Sequence, residues 1–276
     1  MNVAIIGLGL MGGSLALSLQ KLDFITKVLG HDHNQEHQRI AKELNLVDEI
    51  VDLEGVKKAD VIFLAIPVNG IIRALKDLRS VPRTTTIIDL GSTKEKIIEA
   101  VPSEIRKNFV AAHPMTGTEN FGPTAALEGL YEDKVVVLCN LEESGELQCE
   151  IAKKIFKALK MKKHFMRAKE HDRHAAFISH MPHVISYSLA NTVMRQENKH
   201  NILALAAGGF RSMSRLAKSS PNMWEDIFKQ NKDNVIEAIS LFETELSKMK
   251  TAIKNEEWES VYKEMSEGNK LYDIFK

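Results

Sequence analysis

Cysteine is almost missing from this chain: Cys139 and Cys149 are the two in 276 residues. They form no C-x-x-C pair, and two isolated cysteines in so long a sequence indicate reduced thiols. Neither sign of charge is in surplus, because 37 basic side chains meet 37 acidic ones. No global field therefore gathers nucleic acid or an anionic membrane, and an anionic ligand must be met by individually placed cations. Long apolar runs are missing as well; the longest, residues 61–68, is far too short to span a bilayer. The first residues, Met1-Asn2-Val3-Ala4-Ile5-Ile6, lack the basic and long apolar regions of a signal peptide. No G-x-S-x-G elbow occurs, which leaves serine hydrolase chemistry without support. Gly91-Ser92-Thr93-Lys94 lacks the upstream glycine and the Gly-Lys pair of a phosphate loop. The expectation is a soluble cytoplasmic protein that binds neither nucleic acid nor membrane.

What is present is a regular alternation. Apolar, β-branched runs at 3–6, 27–30, 61–66, 85–90, 109–112 and 135–139 read as strands. Helical patterns at 14–20, 35–44, 71–79, 94–100 and 146–159 lie between or after them. Such alternation predicts an α/β fold with a doubly wound, mostly parallel sheet whose strands are covered on both faces. Beyond residue 166 the strand signal stops, and 169–194, 202–207, 223–249 and 258–272 read as helices. In Val235, Ile236, Ile239, Phe242, Leu246, Met249 and Ile253, steps of three and four place the side chains on one helix face. Two domains are expected: 1–166, a Rossmann domain, and 167–276, all helical. No Pro- or Ser-rich linker separates them, so close packing is expected.

Gly7-Leu8-Gly9-Leu10-Met11-Gly12 fits G-x-G-x-x-G, follows an apolar strand and opens a helix, with Asp32 twenty residues beyond Gly12. In that context the pattern marks a dinucleotide site. Gly7 permits the tight turn, Gly9 lets backbone approach a pyrophosphate at the helix N-terminus, and Gly12 lets helix and strand pack closely. Asp32 is placed to accept hydrogen bonds from ribose hydroxyls and would repel a 2′-phosphate, which favours NAD over NADP. His33 and Arg39 lie near enough to soften that preference. The expected cofactor set is Gly7, Gly9, Leu10, Met11, Gly12, Asp32, Pro67 and Ser92.

Four histidines, 171, 174, 180 and 183, fall within one predicted helix. At 100° per residue His171 and His174 lie opposite His180 and His183, so one ion cannot collect all four, and no metal is expected. The same arithmetic gathers Asp172, Ala176, Ser179, His183, Ser186 and Ala190 into a narrow polar stripe suited to wall a pocket. Pro182 lies inside this helix and crowds the carbonyl of Ile178, so a kink is expected. His113-Pro114 and Ser92 each follow a strand at its carboxyl end, where open α/β sheets place ligands. A neutral histidine there suits deprotonation of an alcohol as hydride leaves. Arg211 and Arg215, at i,i+4, can share a helix face and bind an anion.

Together these motifs resemble the prephenate dehydrogenase family, dehydrogenases that join a Rossmann domain to a helical one. The likeness rests on Gly7–Gly13 with Asp32, Asp89-Leu90-Gly91-Ser92-Thr93-Lys94, His113-Pro114-Met115-Thr116-Gly117-Thr118-Glu119 and His171-Asp172. It continues through Ser179-His180-Met181-Pro182-His183, Phe210-Arg211-Ser212-Met213-Ser214-Arg215 and Ser219-Ser220-Pro221-Asn222-Met223-Trp224. The resemblance implies NAD-dependent oxidative decarboxylation of prephenate to 4-hydroxyphenylpyruvate, carbon dioxide and NADH, in tyrosine biosynthesis. It makes His113 the partner of the ring hydroxyl and has Ser92 orient it. Arg215 takes the ring carboxylate, His183 and Ser179 line the site, and Thr118 and Glu119 sit at its mouth. Trp224 matches a family tryptophan near a pocket shared in a dimer, and a homodimer through the helical domain is implied. Ser212 stands where such enzymes often carry aspartate, so an ion pair from that position to Glu119 is not available. Arogenate in place of prephenate is the alternative substrate; a non-catalytic NAD sensor is a further alternative, against which His113, Ser92 and Arg215 together argue.

Overall fold

The computed structural model describes residues 1–274. Its strands are β1 (Asn2–Ile6), β2 (Lys27–His31), β3 (Glu49–Ile50), β4 (Val61–Leu64), β5 (Thr86–Asp89), β6 (Phe109–Pro114), β7 (Val135–Cys139) and β8 (Lys162–Met166). They form one sheet in the order β3-β2-β1-β4-β5-β6-β7-β8. Every pair is parallel except β6 with β7. Alternate side chains enter opposite cores: Val3, Ile5, Phe63, Ile88 and Val110 one, Ala4, Ile6, Ile62, Leu64, Ile87 and Phe109 the other. That is the period-two arrangement of a sheet covered on both faces, and it explains why these strands read as unbroken apolar runs. The cover comes from α1 (Leu10–Leu19), α2 (Gln35–Glu43), α3 (Leu53–Val56), α4 (Val68–Asp77), α5 (Glu95–Glu99) and α6 (Glu146–Ala158). Leu15, Leu19 and Phe156 pack on one face, and Ile71, Leu75 and Ile97 on the other.

Two strands escape the sequence pattern. β3 is two residues long, and β8 reads Lys-Lys-His-Phe-Met at the sheet edge, mostly exposed. An edge strand carrying lysines resists pairing with another chain, and for the same reason shows no apolar signature.

The remaining helices are α7 (Ala168–Ala175), α8 (Met181–Met194), α9 (Lys199–Ala204), α10 (Gly208–Ser214), α11 (Pro221–Gln230), α12 (Lys232–Lys254), α13 (Trp258–Asn269) and α14 (Leu271–Ile274). Contacts group the chain into two compact units, Met1–Asn231 and one that begins at Lys232. The first contains the sheet and α1 to α11. In the second α12 packs against α13, while Ile236, Leu246 and Ile253 of the α12 stripe are exposed. The helix expected across 223–249 breaks at Asn231, whose side chain instead donates to the backbone oxygen of Asp172 at 2.7 Å.

The helix expected across 169–194 is not straight. Ala176–His180 forms a π turn joining α7 to α8. Proline at 182 has no N–H for the fourth residue back and crowds its carbonyl, and the wider turn relieves both. This corrects the histidine arrangement. His171 and His180 are both buried, His174 is exposed and His183 is half-buried, so the pairing of 171 with 174 against 180 with 183 does not hold. The polar stripe faces inward: Asp172, Ala176 and Ser186 are buried, and the Ser186 hydroxyl accepts from the Ala217 amide at 3.1 Å.

Burial draws the pKa of His180 down from 6.5 to about 4, with Asp172 opposing and His171 and His183 adding to the fall. The unfolded chain therefore takes up a proton before the folded one as pH drops. This contribution is complete above pH 6.5 and is lost as pH falls toward 4. In urea denaturation the parent should lose about 2 kcal/mol more than His180→Gln between pH 7.5 and roughly 5. Equal losses in the two proteins would remove His180 as the source.

Candidate active site

The strand order reverses between β1 and β4, which opens a crevice at their carboxyl ends. The glycine-rich turn lies there. Gly7 has φ +99°, and its amide donates to the His31 carbonyl at 2.8 Å. A Cβ on Gly12 would lie 1.8 Å from the Gly7 oxygen, so only glycine permits this approach of helix to turn. A Cβ on Gly9 would meet nothing within 4 Å: that position faces open space, as backbone that receives a phosphate must. Leu10 and Met11 form the first turn of α1, buried and half-buried, and Pro67 is the exposed residue before α4. Asp32 follows β2 and is buried. Its Oδ2 accepts from the Leu8 amide at 2.8 Å and its Oδ1 from the Asn34 amide at 2.9 Å. His33 and His37 stand 3.3 and 3.4 Å from the same carboxylate. Arg39, which sequence placed near enough to matter, is engaged by Glu36 and Glu43 on its own helix.

Two strands along, the same edge carries a second group of side chains. His113 is the penultimate residue of β6, and Ser92, half-buried, follows β5. His113 Nδ1 lies 2.8 Å from His171 Nε2, the rings meeting edge-on at 71°. His171 Nδ1 in turn lies 2.8 Å from Asp172 Oδ1. The Asp172 carboxylate also accepts from the Lys94 amide at 2.7 Å and the Glu95 amide at 2.9 Å. Lys94 is wholly buried; its ammonium pairs with Asp89 and donates to the Ala112 carbonyl at 2.8 Å. Burial, then the neighbouring charges of His171, Lys94 and His180, hold the His113 pKa well below the ordinary 6.5. His113 is therefore a neutral imidazole at physiological pH, as a proton acceptor must be.

The helices carry the remaining candidates. His183 Nδ1 donates to the Ser179 carbonyl at 2.9 Å, and its ring stacks on Trp224 with centroids 3.5 Å apart. Burial lowers the pKa of His183 too, aided by Arg215 against the pull of its bond to Ser179. Arg215 Nη1 donates to Glu119 Oε2 at 2.8 Å. The ion pair at Glu119 thus uses Arg215, while Ser212 lies exposed. Arg211 and Arg215 do not converge on one anion site, because α10 ends at Ser214 and the Arg211 guanidinium turns to the Ala206 carbonyl at 3.2 Å. The Thr118 hydroxyl accepts from the Asn120 amide at 3.2 Å, closing a local turn beside Glu119.

No motif in the sequence assigns a role to the His171-Asp172 pair or to Lys94. The signal that was available is chemical: adjacent His and Asp, and a Lys five residues after an Asp at a strand end, are pairs whose burial demands partners. Among the described residues, no group of three or more His, Cys, Asp and Glu side chains is placed to hold a metal ion. No helix among them is long and apolar enough to cross a membrane.

Known proteins resemble this chain in sequence and fold. The family described as "Prephenate dehydrogenase, nucleotide-binding domain" matches residues 15–164, and "Prephenate dehydrogenase, dimerization domain" matches residues 167–267. Prephenate dehydrogenase of Bacillus subtilis is 33% identical over 95% of this chain and 72% of its own length. A crystal structure of prephenate dehydrogenase from A. aeolicus, in complex with hydroxyphenyl propionate and NAD+, superposes with a TM-score of 0.92 at 31% identity. It covers 100% of this chain and 98% of that one. The arogenate dehydrogenase of Synechocystis superposes with a TM-score of 0.81 at 26% identity, covering 100% of both chains. With both halves matched and the likeness running end to end, the chain belongs to the prephenate dehydrogenase family.

Proposed function

We propose that this protein is an NAD-dependent prephenate dehydrogenase, with residues 1–166 carrying the cofactor and 167–276 the substrate wall and a homodimer contact. The observation that carries the reading is His113: a histidine held neutral at a strand's carboxyl end, on the sheet edge that also bears the glycine-rich turn. The turn fits a dinucleotide, since Gly9 leaves room for pyrophosphate and Asp32 retains lone pairs for ribose hydroxyls. Leu10, Met11, Pro67 and Ser92 complete that surface. When bound, NAD supplies a hydride acceptor.

The chain's own residues do the rest. His113 accepts the hydrogen bond of the ring hydroxyl, and Ser92 orients it. As hydride departs from the carbinol carbon, the bond to the ring carboxylate breaks, carbon dioxide leaves, and the electron pair closes the aromatic ring. Atoms balance without net release of a proton, so His113 shares the hydroxyl proton during the step and the phenol keeps it. Arg215 receives a substrate carboxylate in exchange for Glu119; Ser179, His183, Thr118 and Trp224 shape the cavity. Positioning and charge stabilisation supply most of the catalysis.

One assay tests the reading: NADH formation from NAD and prephenate, run beside NADP and beside arogenate. The expected order is NAD over NADP and prephenate over arogenate. Likeness to an arogenate dehydrogenase supports the second substrate, and preference for arogenate would replace the first reading with that one. His113→Asn should lose turnover by roughly 10²–10⁴-fold with cofactor affinity nearly unchanged. In the parent, kcat/KM should stay level through pH 6.5 and fall only in more acid solution, because the base is neutral until its lowered pKa is reached. A break near pH 6.5 would mean that another group titrates.

The substrate anion gives an independent test. Arg215→Gln removes a charge-assisted contact worth roughly 1.5–3 kcal/mol, so the KM for prephenate should rise about 10–150-fold while NAD affinity is spared. Lysine at the same position should rescue only partly, lacking the planar fork. Unchanged prephenate affinity in both variants would take Arg215 out of the substrate site.

A further inference from the structure

The geometry points to a function for two buried residues: we propose that His171 and Asp172 lock His113 in the tautomer whose Nε2 is bare. The proposal rests on the reading of His113 as the acceptor of the substrate hydroxyl.

Backbone amides can only donate, and those of Lys94 and Glu95 each take one oxygen of the Asp172 carboxylate. The carboxylate is thus an acceptor toward all its partners, His171 included. His171 Nδ1, 2.8 Å from Oδ1, must carry its ring proton there. A neutral imidazole has one N–H, so His171 Nε2 is left as a lone pair. His113 Nδ1 lies 2.8 Å from that lone pair and must donate to it. The single N–H of neutral His113 is then spent, and its Nε2 is bare.

The other assignment, with His113 protonated at Nε2, needs a proton on both nitrogens of His171. The neutral assignment meets every bond in the chain with one proton per ring and no added charge. The chain of bonds therefore has one direction, set at its far end by two peptide groups. It places His171 and Asp172, both buried and bonded in line to His113, as positioning residues that decide which of its nitrogens can accept.

The same chain serves the reaction. As the hydroxyl O–H bond lengthens and an N–H bond begins to form at His113 Nε2, positive charge develops on the imidazole. The Nδ1 proton leans toward His171, whose own proton leans toward Asp172, and the carboxylate offsets the charge. When the ring becomes aromatic the shared proton returns to the phenol oxygen, and each imidazole regains its starting tautomer. No proton leaves the chain of residues, in keeping with a reaction that releases none.

The test pairs spectroscopy with kinetics on the full-length protein. Two-bond proton–nitrogen NMR of the ring-labelled, ligand-free chain reports which nitrogen of each histidine is protonated. The expected pattern is Nδ1–H for both His113 and His171. Two variants probe the lock: His171→Leu removes the acceptor, whereas His171→Gln keeps an amide oxygen in reach of His113. His171→Leu should lose kcat on the order of 100-fold or more and shift His113 toward Nε2–H, with KM for NAD and prephenate within about threefold. His171→Gln should retain Nδ1–H at His113 and stay within about tenfold of the parent. Nε2–H at His113 in the parent would overturn the proposal, as would equal kcat losses in the two variants with His113 unchanged in its tautomer. A parent that shows the lock yet forms no NADH from prephenate or arogenate would sink the functional reading alone.

Discussion

A carboxylate taken out of water must be met by donors on every side, and the Asp172 side chain meets that requirement with groups from two parts of the chain. The amides of Lys94 and Glu95 come from the start of α5 and the residue before it, His171 from Asp172's own helix, while Asn231 after α11 donates to the Asp172 backbone oxygen. Each donor brings something the site uses. The β5–α5 segment holds Ser92, His171 reaches His113, and Asn231 also stands 3.1 Å from His180 Nδ1. The sheet and the first helices beyond it are therefore joined through a polar contact, not merely through apolar packing. That contact is specific in angle, whereas an apolar one tolerates sliding. Close to it lies a buried charge pair, Lys94 with Asp89, whose ammonium also donates to the Ala112 carbonyl of β6 and acts on His113.

Much of this was legible in the residues. Val3-Ala4-Ile5-Ile6 before a glycine cluster, with Asp32 at the proper distance, marks both the nucleotide fold and the place of its ligand, because pattern and chemistry agree there. The strand at 109–112 with His113 after it was equally plain. What sequence could not reach depended on phase or on distance along the chain. The histidine arrangement failed because helical arithmetic assumes a constant turn, and Pro182 imposes a wider one at Ala176–His180. His171 and His113 are 58 residues apart, and nothing local in either segment says that their rings meet. β8 escaped because an edge strand hides its hydrophobicity by design, and Arg211 and Arg215 engage separate partners, the Ala206 carbonyl and Glu119, because the helix tightens to a 3-10 turn at Arg215.

The reversal of β7 against β6 also has a bearing on the site. A parallel crossover would have carried the chain from Pro114 to the far edge of the sheet before the next strand began. The antiparallel return, Pro114 opposite Val136, instead begins and ends the connection on the near edge. All twenty residues from 115 to 134 are thereby kept beside the reacting groups. Within that span Tyr131 donates to the Met11 carbonyl at 2.8 Å, the Leu127 amide donates to the Ser14 hydroxyl at 2.8 Å, and Glu119 meets Arg215. A single segment thus reaches α1 through Tyr131 and Leu127 and Arg215 through Glu119. Because no strand pairing passes through its exposed tip near Phe121 and Gly122, composition there can drift without disturbing the sheet. Topology has set a segment whose exposed tip tolerates change beside a sheet edge whose buried bonds do not.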